Sequence, residues 1–194
     1  THKKFGEASA VLAGNSLLTL AFEILSDNKN FMPSKQKNEI IKLLANCSGH
    51  TGIAGGQELD LKYENKKKNL KQIIQMQRKK TGKLFEFCCL APAIVAKKNT
   101  KTQKEMSKVG EEIGLLFQIA DDLLDVKGNK KSTGKSVKKD KKKGKSTLIK
   151  LYGYEKTLGF ALERKKTIIN KLKKYGKKSN KLIEVSDFIL NRSF

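Results

Sequence analysis

Three aspartates in the second half of the chain have a spacing that suits a bound cation. They are Asp121, Asp122 and Asp125, and the interval of four from Asp121 to Asp125 puts both carboxylates on one face of a helix. Like charges at this interval repel each other and weaken a helix. Proteins hold Mg²⁺ with a few carboxylates together with substrate phosphates. The cluster therefore predicts a divalent-cation site, and the alternative is a solvated acidic helix end or local pairing with lysine.

Glycine–lysine pairs follow the aspartate cluster. Gly134-Lys135 and Gly144-Lys145 stand on either side of Asp140. Glycine lets a ligand approach the backbone closely, and a lysine offers a compact positive charge that suits phosphate. These pairs predict a phosphate-binding segment, and the alternative is a generic lysine-rich loop.

Two further polar sets precede the cluster. The lysine and threonine of Lys80-Thr81-Gly82 stand before an apolar segment, where they could face a buried cavity. The alternative is an ordinary turn between two helices, with glycine as the stop. Gln57 and Asp60 are three residues apart and share one helical face. The spacing predicts a shared polar face, and the alternative is a glycine-weakened helix with an exposed glutamine and aspartate.

Helical periodicity predicts the elements that must position these residues. A glycine- and lysine-rich stretch at 127–146 contains almost no apolar residues, so we expect a surface loop there. The economical fold is one all-α bundle. Apolar residues recur at helical spacing in the segments 5–26, 69–79, 102–126, 154–175 and 178–191, and the segment 85–96 is mostly apolar.

The composition argues against several other classes of protein. The 194 residues suffice for one domain, and two prolines, no tryptophan and little strand-like alternation argue against a β-sandwich or barrel. We find no uninterrupted apolar run of the length that a transmembrane helix needs, so we expect no membrane insertion. Three cysteines make no disulfide framework. A reducing, cytoplasmic compartment is therefore expected.

The formal net charge of +23 raises nucleic acid or an anionic membrane surface as a partner. Of 42 basic residues, however, only Arg78, Arg164 and Arg192 are arginines. Proteins that read nucleic acids use arginine and aromatic side chains, and neither type is concentrated here. We therefore interpret most of the lysines as solvated surface and expect no nucleic-acid partner.

Several motifs occur in one order along nearly the whole chain. Gly-Gly-Gln-x-x-Asp-Leu is followed by Lys-Thr-Gly-x-Leu, by Phe-Gln-x-x-Asp-Asp-x-x-Asp, and then by Gly-Lys, Asp and Lys-x-Thr. The opening His-Lys-Lys-Phe-Gly-Glu belongs to the same order. This series resembles the trans-prenyl diphosphate synthase family of the short-chain farnesyl/geranylgeranyl type.

The resemblance implies an all-α, isoprenoid-synthase-type bundle around a central cavity, usually as a homodimer. It implies a transferase that joins isopentenyl diphosphate to an allylic diphosphate (dimethylallyl, geranyl or farnesyl) and releases pyrophosphate. The product would be a short-chain C15 or C20 prenyl diphosphate, and the cofactor Mg²⁺. It also implies metal ligands Asp121, Asp122 and Asp125, catalytic residues Lys80, Thr81 and Gln118, and substrate-binding residues Gln57, Asp60, Lys80, Lys135, Lys145 and Arg192.

The sequence departs from the family pattern in two places. The family's first Asp-rich motif and the arginine pair after it lie upstream of the segment that matches His2 to Glu7. We therefore expect residues 1–194 to be one domain that corresponds to the C-terminal two thirds of the family fold, without its N-terminal helices and inactive by itself. Lys138 also stands where the family usually has glycine.

Two alternatives to the transferase remain open from the sequence. A non-catalytic subunit or truncated relative of such a synthase would show little stabilisation by metal and would pair with a partner. A basic nucleic-acid or membrane-surface binder would bind in a steeply salt-dependent way and give the aspartates no role.

Overall fold

The computed structural model of this chain describes residues 1–127 and 146–192. The loop predicted at 127–146, with Lys135, Lys138 and Lys145, lies almost wholly outside the described residues. Within the two described ranges the secondary structure is helical and no strand occurs. The prediction of an all-α fold is therefore confirmed.

The helices follow the predicted segments closely. A π-helical turn joins α5 to α6, and a 3₁₀ segment joins α9 to α10. The bounds are α1 His2–Phe5, α2 Glu7–Ser26, α3 Ser34–Ser48, α4 Ile53–Tyr63, α5 Leu70–Gln77, the π-turn Arg78–Gly82, α6 Lys83–Val95, α7 Thr100–Lys127, α8 Leu148–Tyr152, α9 Tyr154–Leu172, the 3₁₀ segment Lys173–Ser179 and α10 Asn180–Asn191.

The chain divides into two compact units, of which the first is Thr1–Ala45. Its longest element is α2, which is long and apolar enough to cross a membrane and is not buried. The prediction that no segment has the length of a span is therefore wrong, because small residues and isolated polar side chains interrupt α2 without making it polar. A single such helix near the N-terminus is weak support for a membrane span, since signal sequences have the same properties.

The second unit, Asn46–Phe194, is built around α7. Helices α6, α9 and α10 pack against α7, whose apolar residues recur at the helical spacing predicted from the sequence. Burying this stripe supplies the main stabilisation of the unit. The buried core consists of Ile73, Val109, Ile113, Leu115, Leu116, Ile119, Ala120, Leu123, Leu148, Ala161, Ile168, Leu172 and Ile189.

Two glycines allow neighbouring backbones to approach the π-turn closely. A Cβ on Gly114 of α7 would lie 2.5 Å from the Cα of Gly82, and a Cβ on Gly56 of α4 would lie 2.1 Å from the backbone nitrogen of Lys80. Both distances are far shorter than any contact a Cβ atom makes. Gly56 therefore has a packing role, because it lets α4 contact the turn that carries Lys80.

The three arginines all pair with carboxylates of α7. Arg78 contacts Glu112 at 2.8 Å and Arg164 contacts it at 3.5 Å, and Arg192 pairs with Asp121. A planar guanidinium suits the partly buried pairing of a carboxylate better than an ammonium does. All three arginines of the chain therefore lie where a side chain contacts α7, whereas the other basic residues are lysines.

Candidate active site

The π-turn brings Lys80 to a carboxylate of α4. The Lys80 Nζ lies 2.5 Å from the Asp60 Oδ2, and the two side chains are 25% and 6% exposed. Gly82 does not end a helix here, because α5 runs through the π-turn directly into α6. Turns of π-helix inside α-helices occur frequently at functional sites, and this one places Lys80 and Thr81 beside α7.

A chain of hydrogen bonds connects the π-turn to the aspartate cluster. The Thr81 hydroxyl donates to the Gln118 Oε1 at 3.1 Å, and the Gln118 Nε2 donates to the Asp122 Oδ1 at 3.1 Å. The Gln77 Nε2 donates to the other carboxylate oxygen, Asp122 Oδ2, at 3.0 Å. Because both oxygens of Asp122 accept from an amide, the orientation of this buried carboxylate is fixed.

Gln77, Gln118 and Asp122 of this chain of hydrogen bonds line one small polar pocket with a volume of about 20 Å³. A pocket of this size holds about one water molecule. Its lining joins residues that are far apart in the sequence, so packing alone brings them together. The lining residues are Asp60, Met76, Gln77, Lys80, Gln118, Asp122, Ser146 and Thr147.

Asp121 faces away from this network and pairs with the C-terminal arginine. The Arg192 guanidinium lies 4.2 Å from the centre of the Phe117 ring, contacts Asp121 and donates to the Phe117 carbonyl at 3.4 Å. Its side chain is 6% exposed, whereas that of Asp121 is 33% exposed. Asp121 therefore pairs with a basic residue that is 71 positions away in the sequence, and not with a neighbouring lysine.

The three aspartates have the donor chemistry of a magnesium site, but they differ in accessibility and in hydrogen-bond partners. Asp121 is partly accessible and Asp125 is half-buried one turn further along α7, whereas Asp122 is buried and bound by amides. Among the residues that the structure describes, no group of three or more His, Cys, Asp or Glu is arranged to hold a metal ion. Hard carboxylate oxygens suit Mg²⁺, with the remaining ligands supplied by phosphate oxygens and water.

A lysine-lined groove of about 440 Å³ adjoins the polar pocket, because Ser146 and Thr147 line both. The Ser146 hydroxyl donates to the backbone carbonyls of Tyr63 and Lys66 at 3.1 and 2.7 Å, and so attaches this segment to the end of α4. The groove offers a positively charged surface to an anion. Its basic lining residues are Lys66, Lys67, Lys68 and Lys150.

Gln57 is exposed on α4, whereas Asp60 is buried, and the role of Gln57 stays a prediction. Sequence reasoning missed Gln77 and the lysine groove. Gln77 precedes Lys80 by three residues and so shares its helical face, and that spacing is the one signal that could have identified it.

The cysteines give no sign of nucleophilic chemistry. Burial raises the pKa of the Cys47 thiol to about 11, and burial likewise raises the pKa of Cys89 to about 11. Both thiols are protonated at neutral pH and therefore unreactive. All three cysteines are free.

Removing the guanidinium from Asp121 is expected to strengthen cation binding. In the unmodified protein, Asp121 must give up its charge-assisted hydrogen bond with Arg192 before it can bind a metal ion. Such a bond contributes about 1.5 kcal/mol, and Arg192→Gln removes this cost. We expect Mn²⁺ to bind about tenfold more tightly, as measured by electron paramagnetic resonance. Lys181→Gln, which removes an exposed charge from α10, the helix that precedes Arg192, is the control. Unchanged or weaker binding in Arg192→Gln would contradict this interpretation.

The chain matches known proteins over nearly all of its length. Residues 1–187 match the polyprenyl synthetase family. The chain is 37% identical over 197 residues to farnesyl diphosphate synthase of Escherichia coli, covering 99% of this chain and 66% of that protein. It is 34% identical over 166 residues to the Geobacillus stearothermophilus farnesyl diphosphate synthase, covering 84% of this chain and 56% of the relative.

Solved structures are similar in fold as well as in sequence. An FPP/GFPP synthase from Zymomonas mobilis aligns with a TM-score of 0.81 at 36% identity, over 97% of this chain and 63% of the other. A geranyltransferase from Helicobacter pylori, solved with magnesium and isoprenyl diphosphate, aligns with a TM-score of 0.81 at 31% identity, over 98% and 62%. The chain thus spans between half and two thirds of the length of these relatives. Together with the matched order of motifs, these similarities show that the chain belongs to the polyprenyl synthetase family.

Proposed function

We propose that this chain carries the allylic half of the active site of a short-chain prenyl diphosphate synthase. The enzyme would join isopentenyl diphosphate to an allylic diphosphate in three steps: ionisation, condensation and proton elimination. The observation that supports this proposal is the pocket in which Lys80, Gln118 and Asp122 meet, with Thr81 hydrogen-bonded to Gln118. This arrangement occurs in a chain of the polyprenyl synthetase family.

The residues in and beside the pocket would have different roles in the ionisation step. Lys80 would bind the allylic diphosphate and stabilise the charge that develops on the leaving group. The Thr81 and Gln118 oxygens would lie near the developing allylic cation. Asp121, Asp122 and Asp125 remain the proposed Mg²⁺ ligands, and the ion would supply positive charge for the departing diphosphate.

Deprotonation does not require a histidine. The released pyrophosphate is itself basic enough to take the proton, and neither His2 nor His50 lines the polar pocket. The lysine groove next to the pocket would attract diphosphates by its charge. Lys135, Lys145, Gln57 and Arg192 remain proposed substrate-binding residues, and Asp60 would position Lys80 through their ion pair.

We also propose the wider properties that the family resemblance implies. Residues 1–194 would form one domain, the protein would be a cytoplasmic homodimer, and its product would be a C15 or C20 prenyl diphosphate. The alternative of a non-catalytic or truncated relative is not favoured, because the pocket has the complete hydrogen-bond chain from Thr81 to Gln77.

Stabilisation by Mg²⁺ and pyrophosphate tests the proposed function. A ligand that binds only the folded state at 100 times its Kd raises the free energy of unfolding by about 2.7 kcal/mol. We therefore expect a clear rise in Tm when both ligands are added together, and loss of most of that rise in Asp121→Asn. Glu163→Gln, an exposed substitution on α9, is the control. The absence of any shift in the unmodified protein would contradict the proposal.

A further inference from the structure

Gln77 is a buried polar residue to which neither the sequence pattern nor the family resemblance gives a role. It is the last residue of α5, is 2% exposed, and lies in the wall of the polar pocket. A buried amide normally has all its hydrogen-bonding groups satisfied, because an unpaired group costs free energy.

The contact with Asp122 determines how the Gln77 amide is oriented. Its Nε2 donates to the Asp122 Oδ2 at 3.0 Å, and the reversed amide would place two acceptor oxygens against each other. The Oε1 of Gln77 consequently points the other way, where it is buried and has no hydrogen-bond partner among the described residues. This cost offsets the contribution of the bond to Asp122, so the stability of the fold gives little reason for a glutamine here.

We propose that Gln77 is a positioning residue of the active site that acts on Gln118 through Asp122. Gln77 holds one oxygen of Asp122, and the other oxygen accepts from the Gln118 Nε2. That second bond directs the Gln118 Oε1 toward the Thr81 hydroxyl. Without Gln77 the Asp122 carboxylate loses one of the donors that orient it, and the Gln118 amide is held less firmly. The proposal rests on the proposed function, since Gln118 matters there for the allylic cation.

A double-mutant cycle on the complete gene product tests this role. Isopentenyl and geranyl diphosphates are the substrates, and kcat, KM and Tm are measured for Gln77→Leu, Asp122→Asn and the double variant. For Gln77→Leu we expect kcat to fall about 10-fold or more, as for other residues that orient an active-site group. KM should change less than about threefold, and Tm should change little, because removal of the unpartnered carbonyl offsets the hydrogen bond that Asp122 loses.

The double variant gives the decisive comparison. If Gln77 acts through Asp122, the double variant has the same kcat as Asp122→Asn. In Asp122→Asn the connection from Gln77 to Gln118 is already lost, so the loss of Gln77 has no further effect. Additive losses would overturn the proposal, and so would a loss of kcat that accompanies a fall in Tm. Gln75→Leu, on the exposed side of the same helix, is the matched control and should leave kcat unchanged.

The same experiment separates this proposal from the proposed function. Turnover by the unmodified protein together with normal kcat in Gln77→Leu overturns only the role of Gln77. A complete absence of turnover in the unmodified protein overturns both.

Discussion

Replacing Gly56 by alanine is expected to destabilise the protein by about 3 kcal/mol, the upper end of the usual cost of overpacking. The added Cβ would lie 2.1 Å from the backbone nitrogen of Lys80 and 2.5 Å from its Cα. Backbone atoms inside two packed helices cannot move aside as a flexible side chain can. The π-turn must therefore shift away from α4, and the shift displaces Lys80 from Asp60.

Chemical denaturation and kinetics measure both consequences of Gly56→Ala. We expect a lower free energy of unfolding and, in the protein that remains folded, a raised KM for the allylic diphosphate. The matched control is Gly159→Ala in α9, where a Cβ meets no atom within 4 Å. That substitution should stabilise the helix by about 0.5–1 kcal/mol, because alanine loses less conformational entropy than glycine. Wild-type stability in Gly56→Ala would show that the packing against Lys80 is looser than described.

Removal of the Lys80 ammonium is the second substitution with a large expected effect. In Lys80→Met, the Asp60 carboxylate remains buried at 6% exposure without its ammonium partner. Breaking a buried ion pair from one side costs about 3 kcal/mol. Activity should fall as well, by at least about 100-fold, since a charge that stabilises the leaving group is lost. Urea unfolding and steady-state kinetics measure the two losses.

The double variant Lys80→Met with Asp60→Leu separates stability from catalysis. Replacing both members of a buried pair by apolar residues of similar size is often neutral for stability. We expect most of the lost stability to return while the activity remains low. Lys62→Met is the matched control, because its pair with Glu58 is 63% and 62% exposed and such surface pairs contribute less than about 1 kcal/mol. Recovery of activity in the double variant would show that Lys80 has no part in catalysis.

The elements of this fold follow from local patterns in the sequence. The apolar period of α7 predicts its burial. The capping box that Asn69 forms with Gln72 starts α5 at the beginning of the predicted segment 69–79. The interval between Asp121 and Asp125 also predicts correctly that both lie on one helix. These features depend on neighbours within one or two turns, so the order of residue types is sufficient to define them.

The composition of the pocket depends on tertiary packing. Gln77 and Asp122 are 45 residues apart, and Arg192 and Asp121 are 71 apart. The turn at Arg78–Gly82 shows the same dependence. Its sequence is compatible with a glycine stop, yet the chain continues as π-helix because Gly82 and Gly114 allow the turn to pack directly on α7. Sequence periodicity defines which face of a helix is apolar, but only the packing of particular helices decides which polar side chains meet. For that reason the sequence could only nominate Lys80 and the aspartates of α7 as site residues, whereas the structure identified the side chains that pair with Lys80, Asp121 and Asp122.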